Sequence, residues 1–218
     1  MYEALLFDQD GVLLDTERMA YEIWRDYLRE HAGRELTLED YAEVCGAPVD
    51  AFDRYIARLL PSDPDGLREH WAREVNRRVA ERKIPPMPGF AALMAFLDGY
   101  PGKKAVVTSN NATWSQEYRQ IFRYREHFDG IFHGGMVPQR KPEPDLYLLA
   151  CRELGVTPGR CLAVEDSLSG ILAAQRAGVP VLHMAGISAV PEDVERACVG
   201  RVRDLNETVA FLTAQESL

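Results

Sequence analysis

The chain has 218 residues, 46% of them apolar, which is enough to bury one large domain or a core with an insert. Acidic residues outnumber basic ones 34 to 25, a formal net charge of −9, so nucleic acid is not expected as a partner, because phosphate backbones recruit basic surfaces. A small phosphorylated ligand held by a metal and one or two cations stays compatible with that balance.

The first element is the apolar run Ala4-Leu5-Leu6-Phe7, which reads as a buried parallel strand. It ends in Asp8-Gln9-Asp10-Gly11. In open α/β sheets the carboxyl end of a strand faces the ligand crevice, and a glycine there permits a sharp turn. Two close carboxylates repel unless a cation or a shared proton intervenes, so the block implies a metal, split acid–base roles, or both. Alternation along a strand predicts that the Gln9 side chain points away from the two acids.

From Thr16 to about Lys83 the texture is helical: Met19, Ile23, Trp24, Tyr27 and Leu28 recur at helical spacing, as do Phe52, Tyr55, Ile56, Leu59 and Leu60. Pro61, Pro64 and Gly66 break the run before a third helix, predicted over 67–79. Trp24, Tyr27, Phe52 and Tyr55 are expected to form the core of this bundle. Pro85-Pro86-Met87-Pro88-Gly89 is a hinge. Beyond it, strands are predicted at 105–108, 130–132, 161–164 and 179–183, with helices at 90–97, 113–122, 145–154 and 168–177 between them. Gly155 and Gly178 stand where helix C-caps belong. This alternation predicts an α/β fold, a Rossmann-like parallel sheet with helices on both faces. The core takes residues 1–15 and 88–218, and 16–87 form a helical bundle inserted after the first strand.

Cys45, Cys151, Cys161 and Cys198 form no Cys-x-x-Cys pair, which predicts reduced thiols in a cytoplasmic protein and no zinc site. Neither a signal peptide nor a run of membrane-spanning length is visible. A monomer is the default expectation.

Three further runs lie at predicted strand ends. Thr108-Ser109-Asn110 offers hydroxyls and amides to a phosphate, with Ser109 preferred over Thr108 as the hydroxyl and Asn110 adding its backbone N–H. Lys141-Pro142-Glu143-Pro144 sets a lysine just ahead of a proline-started helix, a compact charge that can neutralise a phosphoryl group. Glu165-Asp166-Ser167 ends a buried strand in adjacent carboxylates, oxygen ligands of the kind Mg²⁺ takes. Each run alone also has an ordinary reading as a cap, a turn or a solvated side chain.

Taken in order, the four runs resemble the four motifs of the haloacid dehalogenase-like hydrolase superfamily, in the form that carries a helical cap between motifs I and II. The stretch from Asp8 to Glu17 resembles the β-phosphoglucomutase and phosphoglycolate phosphatase branch. The resemblance implies a phosphatase that hydrolyses a small phosphorylated metabolite through an aspartyl-phosphate. Asp8 would be the nucleophile and Asp10 the general acid and base. Ser109, Asn110 and Lys141, with Thr108 as the alternative hydroxyl, would clamp the phosphate. Mg²⁺ would be held by Asp8, the Asp10 carbonyl and Asp166, with Glu165 as a further contributor. The loop Gly46-Ala47-Pro48 would contact substrate. A mutase of the β-phosphoglucomutase type is the alternative, but Ala20 stands where those enzymes carry a histidine, and Ala47, Pro48 and Val49 where they carry an arginine. A catalytically silent binding protein on the same fold is the alternative of another class. Sugar phosphates, phosphoglycolate and nucleotide monophosphates remain open as substrates.

Overall fold

In the computed structural model, residues 1–45, 49–61, 63–123 and 126–216 are described, the side chains of 49–53, 64 and 216 lying outside that description. Six strands form one parallel sheet: β1 (Ala4–Phe7), β2 (Lys103–Thr108), β3 (Gly130–His133), β4 (Cys161–Glu165), β5 (Val181–Met184) and β6 (Gly200–Val202). Their order is β3-β2-β1-β4-β5-β6. The chain runs outward in one direction from β1 and in the other from β4, so the crevice beyond the carboxyl ends of these two strands is the ligand position of this topology.

The strand sequences explain the central sheet. Ala4, Leu5, Leu6 and Phe7 are fully buried, as a strand covered on both faces requires. Leu5 and Phe7 join one apolar cluster and Ala4 and Leu6 the other, following the two-residue period. Around the sheet lie α5 (Phe90–Gly99), α6 (Ala112–Ile121), α7 (Asp145–Leu154), α8 (Leu168–Arg176), α9 (Glu192–Arg196) and α10 (Leu205–Glu216). Gly155 closes α7 in the left-handed conformation, and Gly178, also at positive φ, follows the Ala177 cap at the end of α8.

Between β1 and β2 the chain forms a separate helical layer: α1 (Thr16–Ala32), α2 (Leu38–Ala42), α3 (Val49–Leu59) and α4 (Pro64–Ala80). Trp24, Tyr27 and Tyr55 are buried there. Two connections carry this layer, and they are hydrogen-bonded to each other. The Asp15 N–H donates to the Pro85 carbonyl at 2.8 Å, and the Met87 N–H to the Leu13 carbonyl at 2.9 Å.

Three features depart from the sequence expectations. The third bundle helix starts at Pro64, not Leu67, because proline suits a first helical position and the Asp63 carboxylate caps the Gly66 N–H. The short helix α2, which the sequence reading did not single out within the helical stretch, is held by a capping box of Thr37 and Asp40. The last strand and helix, β6 and α10, were not expected at all. Three residues carry no periodicity, and β6 exists through its pairing with β5.

Candidate active site

Asp8 leaves the end of β1, and its N–H donates to the Val164 carbonyl of β4 at 3.0 Å. Lys141, ahead of α7, reaches into the sheet with its side chain only 3% exposed. Its ammonium donates to Asp8 Oδ1 at 2.6 Å, to the Val107 carbonyl at 2.8 Å and to Glu165 Oε1 at 2.5 Å. Tyr147 of α7 donates to the same Glu165 oxygen. Burial works against the lysine charge, but Asp8 and Glu165 outweigh it and hold Lys141 above its ordinary value.

The carboxylates of Asp8, Glu165 and Asp166 each offer an oxygen within 4.8 Å of the others. Glu165 Oε2 and Asp166 Oδ1 are buried and lack a protein hydrogen-bond partner among the described residues. Burial first, then the neighbouring acids, raise Asp166 well above the usual carboxylate range; burial also raises Glu165, although Lys141 pulls it down. Three buried carboxylates thus face one ammonium. Orphaned oxygens, excess negative charge and an all-oxygen donor set fit a divalent hard cation such as Mg²⁺.

Glycines make this crowding feasible. Gly11 adopts φ +81°, and a Cβ there would overlap the Asp166 carboxylate. Gly11→Ala is therefore expected to cost more than about 1 kcal/mol of stability and to misplace Asp166. Thermal melts with and without Mg²⁺ check this: the stabilisation by Mg²⁺ should be smaller than in the parent protein.

Asp10 is held differently. Thr16 donates to its Oδ1 at 2.8 Å, and the Asn110 side chain to its Oδ2 at 2.7 Å. Gln9 and Thr108 approach the same Oδ2 at 3.3 and 3.4 Å. Burial first, then the Asp8 charge, raise this carboxyl to about 7, against the pull of the Thr16 hydrogen bond. The contact from Gln9 corrects the expectation that its side chain points away. β1 ends at Phe7, so strand alternation no longer applies, and the buried amide turns to Asp10.

Ser109 lines the cavity above Asp8, while the Thr108 hydroxyl is buried against Asp10 and accepts the Asn110 N–H at 3.1 Å. That N–H, expected to face a phosphate, is thus occupied; Asn110 instead contributes its amide side chain to Asp10. Gly46, Ala47 and Pro48 lie outside the described residues. Ala20 lines the cavity as part of α1.

The cavity measures about 610 Å³ and lies between the sheet crevice and the helical layer. Its walls include residues that the sequence did not mark. Glu17 of α1 accepts hydrogen bonds from the Tyr41 hydroxyl and the Cys45 thiol, both at 3.1 Å, and burial raises its carboxyl. Trp71 of α4 meets Trp114 of α6 edge to face, ring centroids 5.4 Å apart, so the helical layer touches the core across the cavity. No periodicity distinguishes these two tryptophans from core residues, since each is placed by the packing of two distant helices.

A family profile described as haloacid dehalogenase-like hydrolase matches residues 5–184. Protein CbbY of Cereibacter sphaeroides is 34% identical over 201 residues, covering 85% of each chain. A phosphorylated carbohydrates phosphatase of Thermotoga maritima is 31% identical over 183 residues, covering 83% of this chain and 84% of that protein. The crystal structure of CbbY from Rhodobacter sphaeroides in complex with phosphate superposes with a TM-score of 0.71 at 29% identity, covering 95% of this chain and 96% of that one. No helix among the described residues is long and apolar enough to cross a membrane. With a matched profile spanning most of the sequence, and a parallel sheet that gathers its acids at one crevice, the chain belongs to the haloacid dehalogenase-like hydrolases and is a phosphatase, a phosphoric monoester hydrolase with a helical cap.

Proposed function

We propose that the protein is a Mg²⁺-dependent phosphatase that hydrolyses a small phosphate monoester through an aspartyl-phosphate on Asp8. The observation that carries this reading is the pair of aspartates at the end of β1 with opposite environments. Asp8 faces Lys141, Glu165 and Asp166, whereas Asp10 is held by neutral donors and keeps a proton up to about pH 7. Two neighbouring carboxyls in such different surroundings are suited to separate roles.

Asp8, the Asp10 carbonyl and Asp166 would hold Mg²⁺, with Glu165 behind them. The ion supplies positive charge that lets an anionic ester approach an anionic carboxylate. Asp8 attacks phosphorus and the ester P–O bond breaks. Asp10 gives its proton to the departing alkoxide oxygen. Water then attacks phosphorus, Asp10 takes back a proton, and the bond from phosphorus to the Asp8 oxygen breaks to release phosphate. Lys141 and Ser109 stabilise charge on the phosphoryl oxygens. Residues 16–87 act as the cap, moving about the paired linkers at 13–15 and 85–87 to admit substrate and then exclude water. Hydrolysis is favoured over a mutase reaction because Ala20 presents only a methyl group to the cavity. The name of the Thermotoga relative makes phosphorylated carbohydrates the first panel to try.

The test is inorganic phosphate release from a panel of phosphate esters with Mg²⁺ and then with EDTA. Release should need the divalent ion. Asp10→Asn should lower kcat by about 10²–10⁴-fold while the chain stays folded. Release that persists undiminished in EDTA would remove the metal from the proposal.

A further inference from the structure

The cap side of the cavity carries a chemical bias that none of the four motifs specifies. Trp24, Val44, Trp71 and Val75 from the cap, with Trp114 and Tyr118 from the core, make a largely aromatic wall. The Trp71 indole N–H is buried there without a protein partner among the described residues. No lysine or arginine of the described cap lines the cavity, and the sequence places none between Gly46 and Asp53. The charged side chain that the cap does put against the cavity is Glu17. The remaining cations, Lys141 and Arg140, both belong to the core. Lys141 is committed to Asp8 and Glu165, and Arg140 packs against Gly134 beside the Ser109 carbonyl, at the phosphate end.

A second anionic group that reaches the cap side of the cavity would therefore meet aromatic carbon and a carboxylate, with no cation of the described cap to offset its loss of water. An uncharged group with an apolar face would meet Trp71 and Trp114 and gain by leaving water. Resting on the phosphatase reading above, we propose that the substrate is a singly phosphorylated ester whose leaving group is uncharged and presents an apolar face to the tryptophan wall. Trp71 and Glu17 set this preference, the first by attraction and the second by repulsion. Carboxylated esters, bisphosphates and diphosphates are disfavoured.

The experiment compares kcat/KM for three primary alkyl esters with Mg²⁺: 2-phenylethyl phosphate, ethyl phosphate and phosphoglycolate. They share the phosphate and differ in what they offer the wall. The phenyl ester is expected to exceed ethyl phosphate by about tenfold or more, and phosphoglycolate to fall below ethyl phosphate by a similar factor. Trp71→Ala should reduce the phenyl-to-ethyl ratio several-fold, whereas Trp71→Phe should retain most of it. Should Trp71→Ala fail to fold, Trp114→Ala makes the same comparison from the core side. Glu17→Gln should raise phosphoglycolate relative to ethyl phosphate. Phosphoglycolate outrunning ethyl phosphate, or a phenyl-to-ethyl ratio near one, overturns the preference while leaving the Asp8-dependent hydrolysis intact. Ratios unmoved by the Trp71 and Trp114 variants overturn the role of the wall. Failure of all three esters, alongside failure of the wider ester panel, removes the phosphatase reading and this inference with it.

Discussion

Asp8→Asn is expected to abolish phosphate release, lowering kcat by at least about four orders of magnitude while the fold persists. An amide oxygen does not attack phosphorus, and two of the neighbouring carboxyls are held by other partners. Glu165 is committed to Lys141 and Tyr147, and Asp10 is turned toward Thr16 and Asn110. The variant should fold because Asn has nearly the same shape and Lys141 keeps Glu165 and the Val107 carbonyl as partners. Removing one of three crowded acids also relieves repulsion, so the melting temperature in EDTA should not fall. Phosphate release and a thermal melt on the same preparation check both statements. A residual rate within tenfold of the parent, with deamidation excluded by mass spectrometry, would sink the nucleophile assignment.

Lys141→Met is expected to damage stability as well as activity. The lysine is 3% exposed and lies between two buried carboxylates, at 2.6 Å from Asp8 and 2.5 Å from Glu165. Its removal leaves both acids in the sheet crevice without a counter-charge, a change that costs about 3–5 kcal/mol in buried pairs. The loss should be read by urea unfolding in EDTA. Mg²⁺ should narrow the deficit, because a divalent ion restores positive charge at the same carboxylates. Activity should stay at least about 10²-fold low even with Mg²⁺, since the phosphoryl group loses a positioned cation. Lys141→Arg should not rescue, because a planar guanidinium does not occupy the site of a compact ammonium enclosed this tightly. An unchanged urea midpoint in EDTA would show that Lys141 does not hold the acids together.

The acids were legible because each sits at the end of an apolar run. Ala4 to Phe7 and Cys161 to Glu165 are buried along their whole length, so the sequence marks both strands and the polar residues that terminate them. The outer strand β6 was not legible, since it is short and held by one neighbour. The orientation of Gln9 was misread because strand alternation was carried past the last strand residue. The distinction between Ser109 and Thr108 became visible only with the sheet in place, where one hydroxyl lines the cavity and the other is packed on Asp10.

The sequence by itself determined the α/β alternation, the helical insert after the first strand and the positions of Asp8, Asp10, Lys141 and Asp166 along the chain. Apolar runs, breakers and terminal charges are local features, and a one-dimensional reading recovers them. Only the tertiary structure decided which carboxylates share Lys141, how Thr16 and Asn110 hold Asp10, and that Trp71 faces Trp114 across the cavity. Those relations join residues far apart in the chain. They exist because a parallel sheet gathers its strand ends at one crevice and because the packed helices of the cap close over it.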